Sequence, residues 1–507
     1  MKAPYDIIII GGGINGCALA RHAAFAGFSV ALVEKNDFGS GVTSRATRLI
    51  HGGLRYLESF DVGLVRESLR DRRLWIDEFP GQATPLRFLI PVYGHDRRAP
   101  WYIRTGLAMY GMLAGDPRLS EHRAFSTADA LAFEPALDGE DLSAAFLYWD
   151  GQSTWPERVS LEMALQAEEA GATIHNHFEV EGLLRVGDRI VGVRSGEREI
   201  EGRLVINAAG AWIDGVRALL GAERRPLLTR LNGAHIIVEP FEGAPRSAVY
   251  HEARSDGRPF FIVPCNFLML TGTTETPYDG DPDCVLPLEG EIEYLVAETN
   301  LLFPGARLRP DDIAYAYAGS RPLVHADGSN MNAASRDHQI HDHWDSDGVD
   351  GLLTLVGGKL TTAPSFAAEA LEAAARKLGR PPVGHLAPQP APDGFVRAEP
   401  RLARLYGPRT PELLAYLDAE PGRRRRVIAE AETTVGEIAF AIEREKACTL
   451  GDILLRRTML AFRAGYRPEW AETVSREAAD WLQWSDSARI RQLADFQGEL
   501  ERTLARS

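Results

Sequence analysis

Residues 5–34 read YDIIIIGGGINGCALARHAAFAGFSVALVE, and they decide how the rest of the 507-residue chain is organised. After Asp6, the rest of residues 6–10 is a wholly apolar, β-branched run of isoleucines, suited to a parallel strand covered on both faces. The run stops in glycine. Gly11, Gly13 and Gly16 give a G-x-G-x-x-G spacing, and the alanine-rich stretch over 14–26 predicts the helix that follows. The first glycine permits a tight turn, the second lets backbone approach a pyrophosphate, and the third lets helix pack closely on strand. Free N–H groups and the dipole at the helix N-terminus favour the anion. A second strand over 29–33 ends at Glu34, 18 residues past Gly16, where a carboxylate hydrogen-bonds adenosine ribose hydroxyls. Strand, turn, helix, strand and acid in this order predict a Rossmann-like α/β fold with an adenine-dinucleotide site.

Composition narrows the class. Lys plus Arg total 56 against 71 Asp plus Glu, a net charge of −15, which argues against broad nucleic-acid binding or a generally cationic membrane-facing surface. A hydrophobic content of 45% is ordinary for a globular protein, and the length leaves room for two or three domains. Cys17, Cys265, Cys284 and Cys448 are scattered without a C-x-x-C, a pattern that disfavours a zinc site or disulfide framework and suits four buried thiols in a reducing compartment. No metal is expected. The chain enters its first strand within about six residues, and no apolar run reaches the roughly 20 residues of a spanning helix. These features predict a cytoplasmic protein whose membrane contact is at most peripheral.

Further along, the loop 36–47 carries Ser40, Thr43, Ser44 and Thr47, placed to wrap phosphate or ring atoms of a cofactor. RLIHGGLRYLE at 48–58 then sets His51, Arg55 and Tyr56 beside backbone that tolerates close approach, a combination suited to an oxyanion-bearing substrate. Residues 62–79 predict an amphipathic helix with a solvated charged face. Residues 86–113 mix arginines with Trp101, Tyr102 and Tyr110, which fits an interfacial membrane anchor and tight internal packing equally. A β-meander over 173–202 turns at Gly187-Asp188 and Gly196-Glu197. RLVINAAGAW at 203–212 is a second nucleotide-fold signal, a strand closing at Gly210, although an unligated parallel strand reads the same way. Residues 235–274 are β-rich. In GLLTLVGGKLTTAP at 351–364 a strand meets two glycines, Lys359 and a helix start, directing positive charge toward a ring that becomes anionic on reduction. Arg321 and Arg336 lie upstream, each available for bidentate oxyanion contacts. Five prolines within 379–394 mark a linker to a helix-dominated end, where the basic run 423–426 reads as a solvated helix face.

Together, IIIIGGGINGCALA, LIHGGLRYLE, GTTE at 272–275, AGSRPL at 318–323, SRD at 335–337, GGKLTT and TLGDILLRRT at 449–458 resemble the FAD-dependent glycerol-3-phosphate dehydrogenases, in that family's order over nearly the whole chain. The resemblance implies a discontinuous Rossmann-like FAD-binding domain (1–80, 150–234 and 311–380), a β-sheet-based substrate domain (81–149 and 235–310) and an all-helical C-terminal domain (395–507). It also implies oxidation of sn-glycerol 3-phosphate to dihydroxyacetone phosphate, with hydride to flavin N5 and electrons passed on to quinone. Arg55 and Arg321 match residues that hold substrate, with Arg336 and Lys359 as further phosphate or flavin contacts. Either His51 or His235 would take the hydroxyl proton. FAD would be held by Gly11, Gly13, Gly16, Glu34, Ser44, Thr47, Gly210, Gly358, Lys359, Leu360 and Thr361. The oligomeric state is open, a homodimer included.

Three departures stand out: Ala363-Pro364 where the family has Tyr-Arg, GQSTWPER at 151–158 in place of an acidic stretch, and His338 for a tyrosine. They leave another polyol phosphate as an alternative substrate. An amine or amino-acid oxidase and a non-catalytic flavin-bound protein are the competing readings.

Overall fold

The computed structural model describes residues 3–59, 61–221, 224–325, 338–463 and 465–505. The isoleucine run forms the strand Tyr5–Ile10, with Ile7, Ile8 and Ile9 wholly buried. It lies inside a sheet ordered His338–Asp342, Leu352–Gly357, Arg198–Asn207, Tyr5–Ile10, Val30–Val33, Thr173–His175. Every neighbouring pair is parallel except the edge strand His338–Asp342, which runs against Leu352–Gly357. The helices Ile14–Phe25, Pro156–Glu169 and Ala363–Lys377 cover one face of this sheet. The hairpin Gly182–Val186 and Arg189–Ser195 covers the other, setting Ile190 and Val193 against Ile8 and Val205. Two covered faces explain a strand with no polar alternation.

A second, ten-stranded sheet holds Ala83–Tyr93 antiparallel to Leu142–Ser153, and Leu228–Val238 between Leu268–Gly272 and Ile313–Val324. Here the structure departs from the expected domain limits. Ile313–Val324 runs along the length of Leu228–Val238, with Arg321 opposite Leu231 and Tyr317 opposite His235, so 313–324 belongs by hydrogen bonding to the second sheet. Likewise Leu228–Val238 enters that sheet ahead of 235. Alternation in a sequence marks a strand but carries no information about a partner some eighty residues away.

The C-terminal helices Pro400–Tyr406, Thr410–Asp418, Val435–Glu443, Pro468–Leu482 and Asp486–Thr503 share one apolar cluster with the second sheet. Ala505 closes the chain by exchanging backbone hydrogen bonds with Ala316.

Several surface expectations are corrected. The charged residues of the helix Val62–Glu78 are not simply solvated: Asp71 and Arg72 are buried, and Arg72 Nη1 lies 2.7 Å from Asp150 Oδ1. A core-facing ion pair has the same sequence period as a wet face. The run 423–426 is no helix face but a 3-10 turn, Pro421–Arg424, with Arg423, Arg424 and Arg425 paired to Glu420, Asp418 and Glu477. Cys17 and Cys265 are buried, whereas Cys284 and Cys448 are exposed. Tyr110 is internal, while Trp101 is 70% exposed. Among the described residues no helix is long and apolar enough to cross a membrane.

Candidate functional site

The first glycine turn shapes a cleft of about 500 Å³. Gly11 sits at φ +109°, and a Cβ on Gly16 would lie 1.9 Å from the Gly11 carbonyl oxygen. Gly16 thus serves the close helix–strand contact and does not itself line the cleft. Glu34 closes the turn: its Oε2 accepts from the Gly12 N–H at 2.6 Å and its Oε1 from the Asn36 N–H at 2.8 Å. Burial raises the Glu34 carboxyl above its ordinary value, with those two amides opposing the shift. Gly11, Gly13, Glu34, Gly210 and Gly358 all face this space. Ser44 does not. Its hydroxyl donates to the carbonyls of Ser40 and Gly41 inside the 3-10 turn Val42–Arg45, while Thr43, one position earlier, lines the cleft and accepts the Ile14 N–H at 3.0 Å. Adjacent positions of such a turn point about a third of a revolution apart, and the hydroxyl-rich sequence carries no signal for which one faces inward.

A chamber of about 560 Å³ adjoins the cleft, sharing Val42, Ala46, Pro322, Gly358, Lys359 and Leu360 with it. Two motifs far apart in sequence are bonded together on its wall. The His51 N–H donates to Thr361 Oγ1 at 3.1 Å, and Trp75 Nε1 donates to the Thr361 carbonyl at 3.1 Å. Gly52 must be glycine, since a Cβ would lie 2.4 Å from the Tyr110 hydroxyl that accepts its N–H. Lys359 Nζ lies 4.0 Å from the centre of the Tyr56 ring, buried and without a hydrogen-bond partner. On the opposite wall, Arg321 donates from Nη1 to Glu275 Oε1 (3.0 Å) and from Nη2 to Thr273 Oγ1 (2.8 Å).

His235 is stacked on Tyr317 with ring centres 5.1 Å apart, and its Nε2 lies 2.9 Å from Thr47 Oγ1. Burial, reinforced by Arg321 and Arg48, drives its pKa well below 6.5. Arg48 itself is tied to Glu157 at 3.4 Å and to the Thr154 carbonyl at 2.6 Å.

The structure therefore brings His51, His235, Arg321, Lys359, Thr47, Leu360 and Thr361 to one chamber. Arg55 belongs to the following 3-10 turn, Leu54–Ser59, and Arg336 lies outside the described residues. Arg45, Arg98 and Arg258 also line the chamber and were not anticipated, because an isolated arginine carries no motif. The departures in sequence fall elsewhere. Ala363 is wholly buried in helix packing, Arg158 binds Glu445, and His338 stacks on Phe366 at 4.2 Å and pairs with Glu369 at 3.0 Å.

Lys359 Nζ, His235 Nδ1 and Asn15 Oδ1 are buried without hydrogen-bond partners, all along the line from cleft to chamber. Buried polar groups are rarely left so. A guest with phosphates at one end and a polar, anion-forming ring at the other fits this set. The glycine cradle, the acid closing it and the adjoining cationic chamber define a dinucleotide-dependent oxidoreductase.

Residues 6–372 match the FAD dependent oxidoreductase family, and residues 395–489 match the C-terminal domain of alpha-glycerophosphate oxidase. The chain belongs to the FAD-dependent oxidoreductases, and its cofactor is FAD. It is 38% identical over 492 residues to a glycerol-3-phosphate dehydrogenase of Synechocystis sp., covering 90% of this chain and 89% of that one. An aerobic glycerol-3-phosphate dehydrogenase of Staphylococcus aureus is 34% identical over 381 residues, 74% of this chain and 67% of the relative. The solved glycerol-3-phosphate dehydrogenase of Bacillus halodurans, complexed with FAD, superposes with a TM-score of 0.79 at 27% identity, covering 99% of this chain and 95% of that structure.

Proposed function

We propose that this chain oxidises sn-glycerol 3-phosphate to dihydroxyacetone phosphate. The observation that carries the reading is the convergence of Arg321 and Lys359 with two histidines on a chamber that opens into the dinucleotide cleft. A small dianion needs fixed cations and a nearby proton acceptor. When bound, FAD supplies the hydride acceptor. Gly11, Gly13, Glu34, Thr43 and Gly210 hold its adenosine and phosphate portion, and Gly358, Lys359, Leu360 and Thr361 flank its ring.

Arg321, steadied by Glu275 and Thr273, anchors the phosphoryl group, with Arg55 and Arg336 assigned to the same anion. His51 takes the C2 hydroxyl proton. His235, whose Nε2 lies 2.9 Å from Thr47 Oγ1, orients that hydroxyl on the chamber wall. Electrons then pass to a membrane quinone from the cytoplasmic face. Exposed Trp101, Tyr102 and Met112 on the helix Pro100–Ala114, next to arginines, support a peripheral contact there.

Anaerobic addition of glycerol 3-phosphate to the flavin-loaded protein should bleach the absorbance near about 450 nm. Faster bleaching by another polyol phosphate would reassign the substrate. Bleaching by amines alone, or by nothing, would overturn the proposal.

A further inference from the structure

Outside both cavities, His95, Asp96 and His251 each bring a potential ligand atom within 4.8 Å of the other two. His95 and Asp96 lie in the turn leaving the strand Ala83–Tyr93, and His251 lies on Ala248–Glu252, the strand that runs parallel to it. Neighbouring strands therefore fix all three. His251 is only 2% exposed, and its Nδ1 has no hydrogen-bond partner; the same is true of Asp96 Oδ1. The other carboxylate oxygen of Asp96 accepts the Tyr93 N–H at 2.8 Å, which fixes the orientation of the unsatisfied one. Beside Asp96 and His251, though not reaching His95, is a void of about 10 Å³ lined also by Glu252, Tyr250 and Arg98, room for a single water-sized occupant.

The surrounding charges leave a cation tolerable. Glu252 and Asp141 add negative charge, with Asp141 Oδ2 3.5 Å from His95 Nδ1. Arg98 is engaged by Glu252, Arg254 by Asp138, and Arg97 by the Asp256 carbonyl. Two other His- and Asp-containing clusters lack this vacancy in their bonding. Asp452 spends both oxygens on His177, Arg456 and the amides of Cys448 and Thr449. His343 has one nitrogen on Asp347 and the other on Thr354.

We propose that His95, Asp96 and His251 form a structural site for one first-row divalent cation, with zinc the best match. Two imidazoles and a carboxylate are zinc-type ligands, and water completes a tetrahedron. The void admits no substrate, so the ion braces and does not catalyse. It pins the turn before Arg98 to the strand that carries Tyr250, and both of those residues line the chamber.

The test uses chelator-treated, FAD-loaded full-length protein titrated with Zn²⁺ by calorimetry and with Co²⁺ by absorption. One saturable equivalent is expected, with tetrahedral Co²⁺ bands and no thiolate charge-transfer band of the kind Cys448 would give. His95→Ala, which trims an exposed side chain, and His251→Gln should each weaken binding by more than the roughly 10–100-fold that outer-shell changes cost, with flavin content unchanged. Absence of a saturable equivalent would assign the void to water. An equivalent that survives both substitutions, or that shows the thiolate band, would place the ion elsewhere. Each of these results overturns the proposal.

Discussion

The seam against the C-terminal helices and the wall of the chamber both bury cationic side chains, but they treat them differently. At the seam, Asp37 receives Arg457 through bonds of 2.6 and 3.0 Å and Arg456 at 2.8 Å, and Glu445 grips Arg158 at 2.6 and 2.8 Å. In the chamber, Lys359 Nζ has the face of Tyr56 and no hydrogen-bond partner, and His235 Nδ1 has none either. Burying an unmatched polar or charged group is costly, and removing one partner of a matched pair is costlier still. Arg321 is matched even in the chamber, by Glu275, so it is the polar atoms left without a hydrogen-bond partner, Lys359 Nζ first among them, that mark the place where a ligand supplies what is missing.

The sharpest way to break this contrast is at the seam. Asp37→Ala takes the close carboxylate from buried Arg457, leaving it the Glu445 carbonyl, and one of three from Arg456, and should cost about 3–5 kcal/mol in denaturant unfolding of the FAD-loaded protein. A loss below about 1 kcal/mol would mean the seam is not held by charge. In the chamber, Arg321→Ala removes a charge-assisted contact of about 1.5–3 kcal/mol, so KM for glycerol 3-phosphate should rise roughly ten- to a hundredfold while flavin content and Tm hold. A parallel loss of flavin would refute its role. Lys359→Met should leave the unfolding free energy of the FAD-free protein unchanged or up to about 1 kcal/mol higher while flavin affinity falls, because it deletes a buried cation with no hydrogen-bond partner. A drop like that of Asp37→Ala would erase the distinction.

The smallest effect is in pH dependence, and it has opposite signs in histidines where burial outweighs the hydrogen-bond partner and in one where the partner outweighs burial. His22 and His343 are lowered from 6.5 to about 4, chiefly by burial, and His235 is also lowered. Their unfolded forms bind protons that the fold refuses, so stability should decline as pH falls from 6.5 toward 4. Against burial, Asp452 and Cys448 raise His177 to about 10. Its contribution is complete below 6.5 and is lost as pH climbs through 10. Melting temperatures across this range should show both declines, and His177→Gln should flatten only the alkaline one.

How much of this was legible beforehand depends on whether a feature is local. The strand Tyr5–Ile10, its glycine turn and Glu34 answer to steric rules that act within thirty residues, and they could be read directly. The strand Ile313–Val324 could be recognised as a strand but not assigned to a sheet, because its partner Leu228–Val238 is remote. In the site, His51 and Thr361 stood out separately as motif members, but nothing in either motif foretold that the amide of one meets the hydroxyl of the other. Thr43 and Ser44 read alike as loop hydroxyls, and composition cannot fix the rotation of the turn that points Thr43 and not Ser44 into the cleft. The side chains on the buried side of Val62–Glu78 looked solvated because charge alternates the same way whether its partner is water or Asp150.

The loop after Glu34 touches two masters. Its Gly39 N–H bonds the Gly12 carbonyl of the glycine turn at 2.9 Å, and two residues earlier Asp37 is clasped by Arg456 and Arg457. Thermodynamic reciprocity then applies: whatever flavin gains from an ordered loop, the terminal helices gain from flavin in equal measure. Severing the chain near 395 should loosen the cofactor, although among the described residues none beyond that point borders the cleft. The helices are thus a remote handle on flavin retention, with Asp37 the carboxylate that joins them to the loop beside the glycine turn.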